Sequence, residues 1–202
     1  MGQPFVPFVY PPRVPEPPKR KVFVSFYQGD RTEVDAFIYR WTQGETVFIP
    51  KALGISANDD FINSTNPEYV MGRIREKYLG DSTVTIVLVG KCTHSRRYVD
   101  WELKASLRRS ASPGATLPNG LIGIILPSSG TSAFLPPRFE ANWTQSHINC
   151  YARYWVAPSS AEQLRGWIED AFAARTARAG LIQNAADMMK YSAKCRACNI
   201  TH

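Results

Sequence analysis

The sequence predicts an α/β domain: a mostly parallel central sheet with helices on both faces. Two observations carry this. Apolar, β-rich runs alternate with segments of helical period along the chain. One run, "STVTIVLVG" (82–90), is apolar on both faces, as a central parallel strand has to be. Right-handed crossovers then leave few topologies open. At 202 residues, with 44% hydrophobic and 12% aromatic content, the chain can bury one sizeable core, so one globular domain with tails is expected.

Residues 1–20 carry too many prolines for helix or central strand and read as an extended arm. The domain occupies 21–178. "KVFVSF" (21–26) is a buried strand followed by the turn-prone "YQGDR", and Val34, Phe37, Ile38 and Trp41 then fall at helical spacing. "TVFIP" (46–50) is a second strand closed by its proline, followed by a long polar loop. Pro67 opens a helix with Val70, Ile74, Tyr78 and Leu79 on one face. After the central strand come the helix that holds Glu102, a strand in "LIGIILP" (121–127), and a Pro/Gly/Ser-rich insertion. A short strand in "CYARYWV" and an amphipathic helix over 160–178 complete the domain. Residues 179–202 read as an appended helix and a cysteine-containing tail.

The formal charge of +7, spread in pairs such as Arg96-Arg97 and Arg108-Arg109, favours an anionic ligand or surface without singling out nucleic acid. Trp143, Trp155 and Trp167 read as core or interface, since no basic groove tracks them. No apolar run approaches the roughly 20 residues that span a bilayer, and no secretory signal opens the chain, so a cytoplasmic protein without membrane contact is expected. Cys92, Cys150, Cys195 and Cys198 are too irregularly spaced for a disulfide framework. Cys195, Cys198 and His202 make a C-x2-C-x3-H array that Cys150 or His147 could complete as a zinc site. Free thiols on a mobile tail are the preferred reading, and no metal is expected.

In sheets of this kind ligands bind outside the carboxyl ends of the strands. The loops after Phe26, Pro50, Gly90 and Pro127 are therefore the places to look. The GxxxxGK, GxGxxG and GxSxG motifs are absent, and the third strand ends in Gly90-Lys91 where a phosphoacceptor site would want an aspartate. The first strand brings Ser25, Phe26, Tyr27, Gln28 and Asp30 to the edge. His94 reads as an exposed loop residue. Glu102 lies four residues after Tyr98, with Trp101 beside it and Arg97 one turn before Trp101. A carboxylate against aromatic surface is partly desolvated, which raises its pKa, while nearby arginines oppose the rise. Such a group can hold sugar hydroxyls and stabilise an oxocarbenium ion as a glycosidic bond breaks. Spacing alone favours the plainer reading, a surface glutamate paired with an arginine.

"KVFVSFYQGDR" and "STVTIVLVGKCTHSRRYVDWELKAS" together resemble the TIR-like family of the Thoeris anti-phage system, over about 21–126. The resemblance implies a flavodoxin-like TIR fold, a three-layer sandwich. It implies cleavage of the nicotinamide–ribose bond of NAD+, which is substrate and not cofactor, to give an ADP-ribose-derived, cyclic messenger that activates a separate effector. It places the catalytic glutamate on Glu102 and the nicotinamide pocket on Ser25, Phe26 and Tyr27, with Asp30 in the following loop. Arg97 or Arg31 would meet the diphosphate, and Tyr98 would line the site. The loop 51–65 corresponds to the segment that TIR domains use to self-associate, so a homo-oligomer is expected on activation. A deoxyribosyltransferase-like enzyme and a catalytically silent scaffold are the rival readings.

Overall fold

The computed structural model describes residues 18–52, 66–108, 117–131 and 133–201. Most of the proline-rich arm, most of the loop after the second strand, and His202 lie outside the described residues.

A strand flanked by strands and covered on both faces can hold no water-seeking side chain, and β3 (Val84–Val89) holds almost none. It sits in the middle of a five-stranded, wholly parallel sheet ordered β2-β1-β3-β4-β5. The other strands are β1 (Lys21–Phe26), β2 (Ile49–Lys51), β4 (Gly120–Ile125) and β5 (Arg153–Val156). Val22, Val24, Ile86, Leu88, Ile122 and Ile124 point to one face, where α1 (Arg31–Tyr39) and α5 (Ala161–Ala177) cover them with Val34, Phe37, Leu164 and Ile168. Phe23, Val87 and Leu121 point to the other, under α2 (Pro67–Ile74) and α3 (Arg97–Ser106). This is the three-layer, flavodoxin-like arrangement that the resemblance implies.

Local chemistry sets the element ends. Ser160 caps α5 by accepting a hydrogen bond from the Gln163 N–H at 3.2 Å. A Cβ on Gly120 would run into the backbone carbonyl of Ala171, so a glycine there lets α5 pack directly on β4. β2 starts later than the apolar run suggests, because Thr46 takes a φ of 49°, in the left-handed region that strands exclude. The insertion after β4 contains a short helix, α4 (Pro137–Glu140), that periodicity does not announce.

The largest departure from the sequence-based expectation is residues 179–202. No appended helix forms among the described residues there; a short 3₁₀ turn, Ala179–Leu181, leads into an irregular strap. Nor is the strap a loose tail, because side chains and backbone of the domain bind its backbone. The Trp101 indole N–H donates to the Met189 carbonyl at 2.8 Å, Lys104 Nζ to that of Ala186 at 2.7 Å, and the Ala193 N–H to the Ser95 carbonyl at 2.8 Å. Beneath it Arg138 and Asp100 form an ion pair at 2.9 Å, their side chains 2% and 4% exposed. Asp100 also accepts the Met189 N–H at 2.9 Å, and Arg138 donates to the carbonyls of Ala186 and Asp187. A buried ion pair tolerates burial only when its remaining donors and acceptors are also satisfied, and the strap's backbone does this.

Candidate active site

The strand order reverses between β1 and β3, and that point opens a crevice at the carboxyl edge of a parallel sheet. β1 delivers Ser25 there, and α3, which follows β3, delivers Glu102. The Ser25 hydroxyl donates to Glu102 Oε2 at 2.5 Å, and both residues are buried. Among the described residues Glu102 joins no ion pair. Burial pushes its pKa from 4.5 up to about 8, and the Ser25 hydrogen bond opposes the shift only partly. The surface glutamate paired with an arginine is therefore overturned: Glu102 points inward, and the opposition that arginines were expected to supply comes from a serine.

Beside this pair lies a cleft of about 490 Å³. Its wall is Phe26, Tyr27 and Gln28 from the end of β1, Arg96 to Val99 from the start of α3, and Tyr191, Ser192 and Thr201 from the strap. Ser25 and Glu102 do not line it, but each neighbours a residue that does: Ser25 precedes Phe26, and Glu102 lies one helical turn after Val99. Tyr98, 43% exposed, stands edge-on to Trp101 with ring centres 5.2 Å apart, so the two residues that helical spacing puts on one face, Tyr98 and Glu102, divide between the cleft and the interior. The Arg97 guanidinium lies over the Tyr98 ring at 4.8 Å and donates to its hydroxyl at 3.1 Å.

Arg96 is the residue that motif reading passes over. Its guanidinium stacks on Tyr27 at 3.9 Å, Nε donates to the Cys92 carbonyl at 3.2 Å, and Nη2 is buried with no hydrogen-bond partner among the described residues. A cation so placed offers a donor to an anionic ligand. The available signal was the doubled Arg96-Arg97 after the central strand, and spacing cannot say which of the two turns inward.

Asp30 stands a step away. The Thr93 hydroxyl donates to it at 3.3 Å and itself accepts the Gly90 N–H at 2.9 Å. A Cβ on Gly90 would collide with the Asp30 carboxylate, so the glycine that ends β3 is what lets the acid lie there. Burial raises the Asp30 pKa, against the Thr93 hydrogen bond. Arg31 is engaged with Asp35 at 2.7 Å and does not line the cleft. His94 departs from its expectation: it is buried, its ring centre 5.1 Å from that of Phe134, and its Nε2 accepts the Arg196 N–H at 3.0 Å. Trp155 and Trp167 stack on each other at 4.5 Å and pack against the core, in line with their reading.

A wholly parallel 2-1-3-4-5 sheet defines a doubly wound, flavodoxin-like fold, here with a buried acid beside its switch point. The family model described as "Thoeris protein ThsB, TIR-like domain" matches residues 23–131, more than half of the chain, and the chain belongs to that family. It is thus a defence-related TIR module. No curated protein matches the chain. No helix among the described residues is long and apolar enough to cross a membrane.

Proposed function

We propose that the cleft takes NAD+ and that Glu102 drives cleavage of its nicotinamide–ribose bond, yielding an ADP-ribose-derived, cyclic messenger that activates a defence effector. The observation that supports this most is the Ser25–Glu102 pair: a buried carboxyl group that, among the described residues, faces a hydroxyl and no cation, at the ligand-binding edge of the sheet. Acids in protein interiors are ordinarily paired with bases, so an unpaired one beside a cleft marks a site that waits for a cation. The nicotinamide end of NAD+ supplies that charge, and its arrival favours the ionised form of Glu102.

The C1′–N bond breaks with its electron pair going to nicotinamide, which leaves neutral. The carboxylate stabilises the ribosyl cation left behind. Water captures that cation and releases a proton, or a nucleophile of the same molecule does so and closes a ring where water is excluded. Arg96 Nη2 and Arg97 are the donors for the diphosphate, and Tyr27 and Phe26 offer aromatic surface to the nicotinamide. The cleft volume of about 490 Å³ lies within the roughly 300–1,000 Å³ usual for small-molecule sites. Because Glu102 does not line the cleft, productive binding requires its lining side chains to shift, which suits an enzyme switched on by self-association.

The test is mass spectrometry of small molecules from cells expressing the wild type or Glu102→Gln, with and without phage challenge. Free nicotinamide and a new ADP-ribose derivative are expected in challenged wild-type cells only. Free base from deoxynucleosides with intact NAD+ would replace this reading with the deoxyribosyltransferase one. Unchanged metabolites throughout, with tight partner binding, would replace it with a scaffold.

A further inference from the structure

We infer that Cys92, Cys195 and Cys198 form a zinc site that clips the C-terminal strap to the loop after β3. Their sulfur atoms all lie within 4.8 Å of one another. Cys195 Sγ is 3.0 Å from Cys92 Sγ, and Cys198 Sγ is 3.4 Å from it, although 103 and 106 residues of chain separate these partners. Three sulfurs on a tetrahedral zinc, with bonds of about 2.3 Å, stand roughly 3.8 Å apart. A small outward shift of the sulfurs therefore fits the ion between them.

The backbone around the pair Cys195 and Cys198 is built for ligation. The Asn199 N–H donates to the Cys195 carbonyl at 2.8 Å, with Asn199 at a φ of 63°, and the Cys195 N–H donates to the Ile200 carbonyl at 2.9 Å. Lys194 and Thr201 close this tight turn as an antiparallel bridge. His94 Nε2 is occupied by the Arg196 N–H, so His94 fixes the turn from behind and does not ligate.

Charge and access agree with this. Three thiolates and a dication carry a net negative charge, and Lys91 beside Cys92 and Lys194 and Arg196 on either side of Cys195 offset it. Cys198 is exposed, leaving the cluster open to a fourth ligand. That ligand is water. On binding, the thiols give up their protons to solvent. The site would fix the strap that supplies Tyr191, Ser192 and Thr201 to the cleft. It stands independently of the NAD+ reading.

The experiment is elemental analysis of the full chain, purified with reductant and without chelator, alongside cobalt titration of the metal-stripped protein. About one zinc per chain and a thiolate-to-cobalt charge-transfer band are expected. Cys92→Ser, Cys195→Ser and Cys198→Ser should each lose most of the zinc and the band, whereas Cys150→Ser, whose cysteine lies outside the cluster, should keep both. Wild-type protein that neither carries zinc nor binds cobalt would overturn the proposal even if a variant fails to fold. A Cys92–Cys195 disulfide in place of metal, or zinc retained when all three serines are present together, would overturn it equally.

Discussion

Two carboxyl groups two residues apart on α3 are both buried, and they are treated oppositely. Asp100 meets a guanidinium in two hydrogen bonds, from Arg138 Nε at 2.9 Å and Nη2 at 3.3 Å, and a backbone N–H besides. Among the described residues Glu102 meets one hydroxyl. A buried acid with its charge matched holds a fold together, and a buried acid with its charge unmatched is costly to keep and so calls for another explanation. The residue types and burial are alike, and only the partners separate a strap anchor from a catalytic candidate.

Breaking the matched pair should have the largest effect on stability. Asp100→Asn leaves the buried Arg138 without a counter-charge and should cost about 3–5 kcal/mol. In a chain of this size that lowers Tm by about 10 °C, readable by calorimetry. Glu102→Gln, which keeps the Ser25 partner, should leave Tm near wild type at pH 6. If the two variants lose equal stability, the distinction between the acids fails.

The pH dependence of that stability comes next. The Glu102 pKa is raised on folding, from 4.5 to about 8, so the folded state binds more protons than the unfolded one between those values. Stability from this group therefore falls as pH rises through that window and changes no further above it. Between pH 6 and 8, wild type should lose up to about 2.7 kcal/mol relative to Glu102→Gln, or roughly 5–10 °C of Tm. Parallel Tm curves for the two proteins would mean that Glu102 titrates normally.

Much of this was legible in the sequence and some was not, for reasons that can be named. The central strand announces itself because burial on both faces demands an unbroken apolar run, and Val34, Phe37 and Ile38 mark α1 because one face repeats at helical spacing. Ser25 and Glu102, 77 residues apart, are united by strand order alone, which the alternation of elements nearly dictates. The strap has no period, since its backbone is satisfied by Trp101, Lys104, Asp100 and Arg138 and not by a helix or sheet of its own. The burial of His94 and the convergence of Cys92 with Cys195 depend on that strap, so they were hidden with it. A C-x2-C pair in a sequence shows two ligands and gives no direction to the third.

Two smaller effects sharpen the contrast at the cleft. Arg96→Gln removes the one cleft cation with a buried, unpartnered nitrogen among the described residues and should raise KM for NAD+ about tenfold, with kcat little changed. An unaltered KM would move the anion contact to Arg97. Ser25→Ala removes the single group that holds the Glu102 pKa down, so the ascending limb of kcat/KM against pH should move to higher pH. Turnover near neutrality should fall roughly fivefold, in keeping with one hydrogen bond of about 1 kcal/mol. A fall in rate with no displacement of the limb would give Ser25 a packing role only.

The central claim is that the unmatched acid does chemistry and the matched one does not. It is tested most directly by the rate of nicotinamide release from NAD+, measured for wild type, Glu102→Gln and Asp100→Asn at equal concentrations of folded protein. Loss of a transition-state charge contact predicts a rate for Glu102→Gln about 100- to 1,000-fold below wild type, with Asp100→Asn within a few-fold of it. Nicotinamide release by Glu102→Gln at the wild-type rate would contradict the assignment.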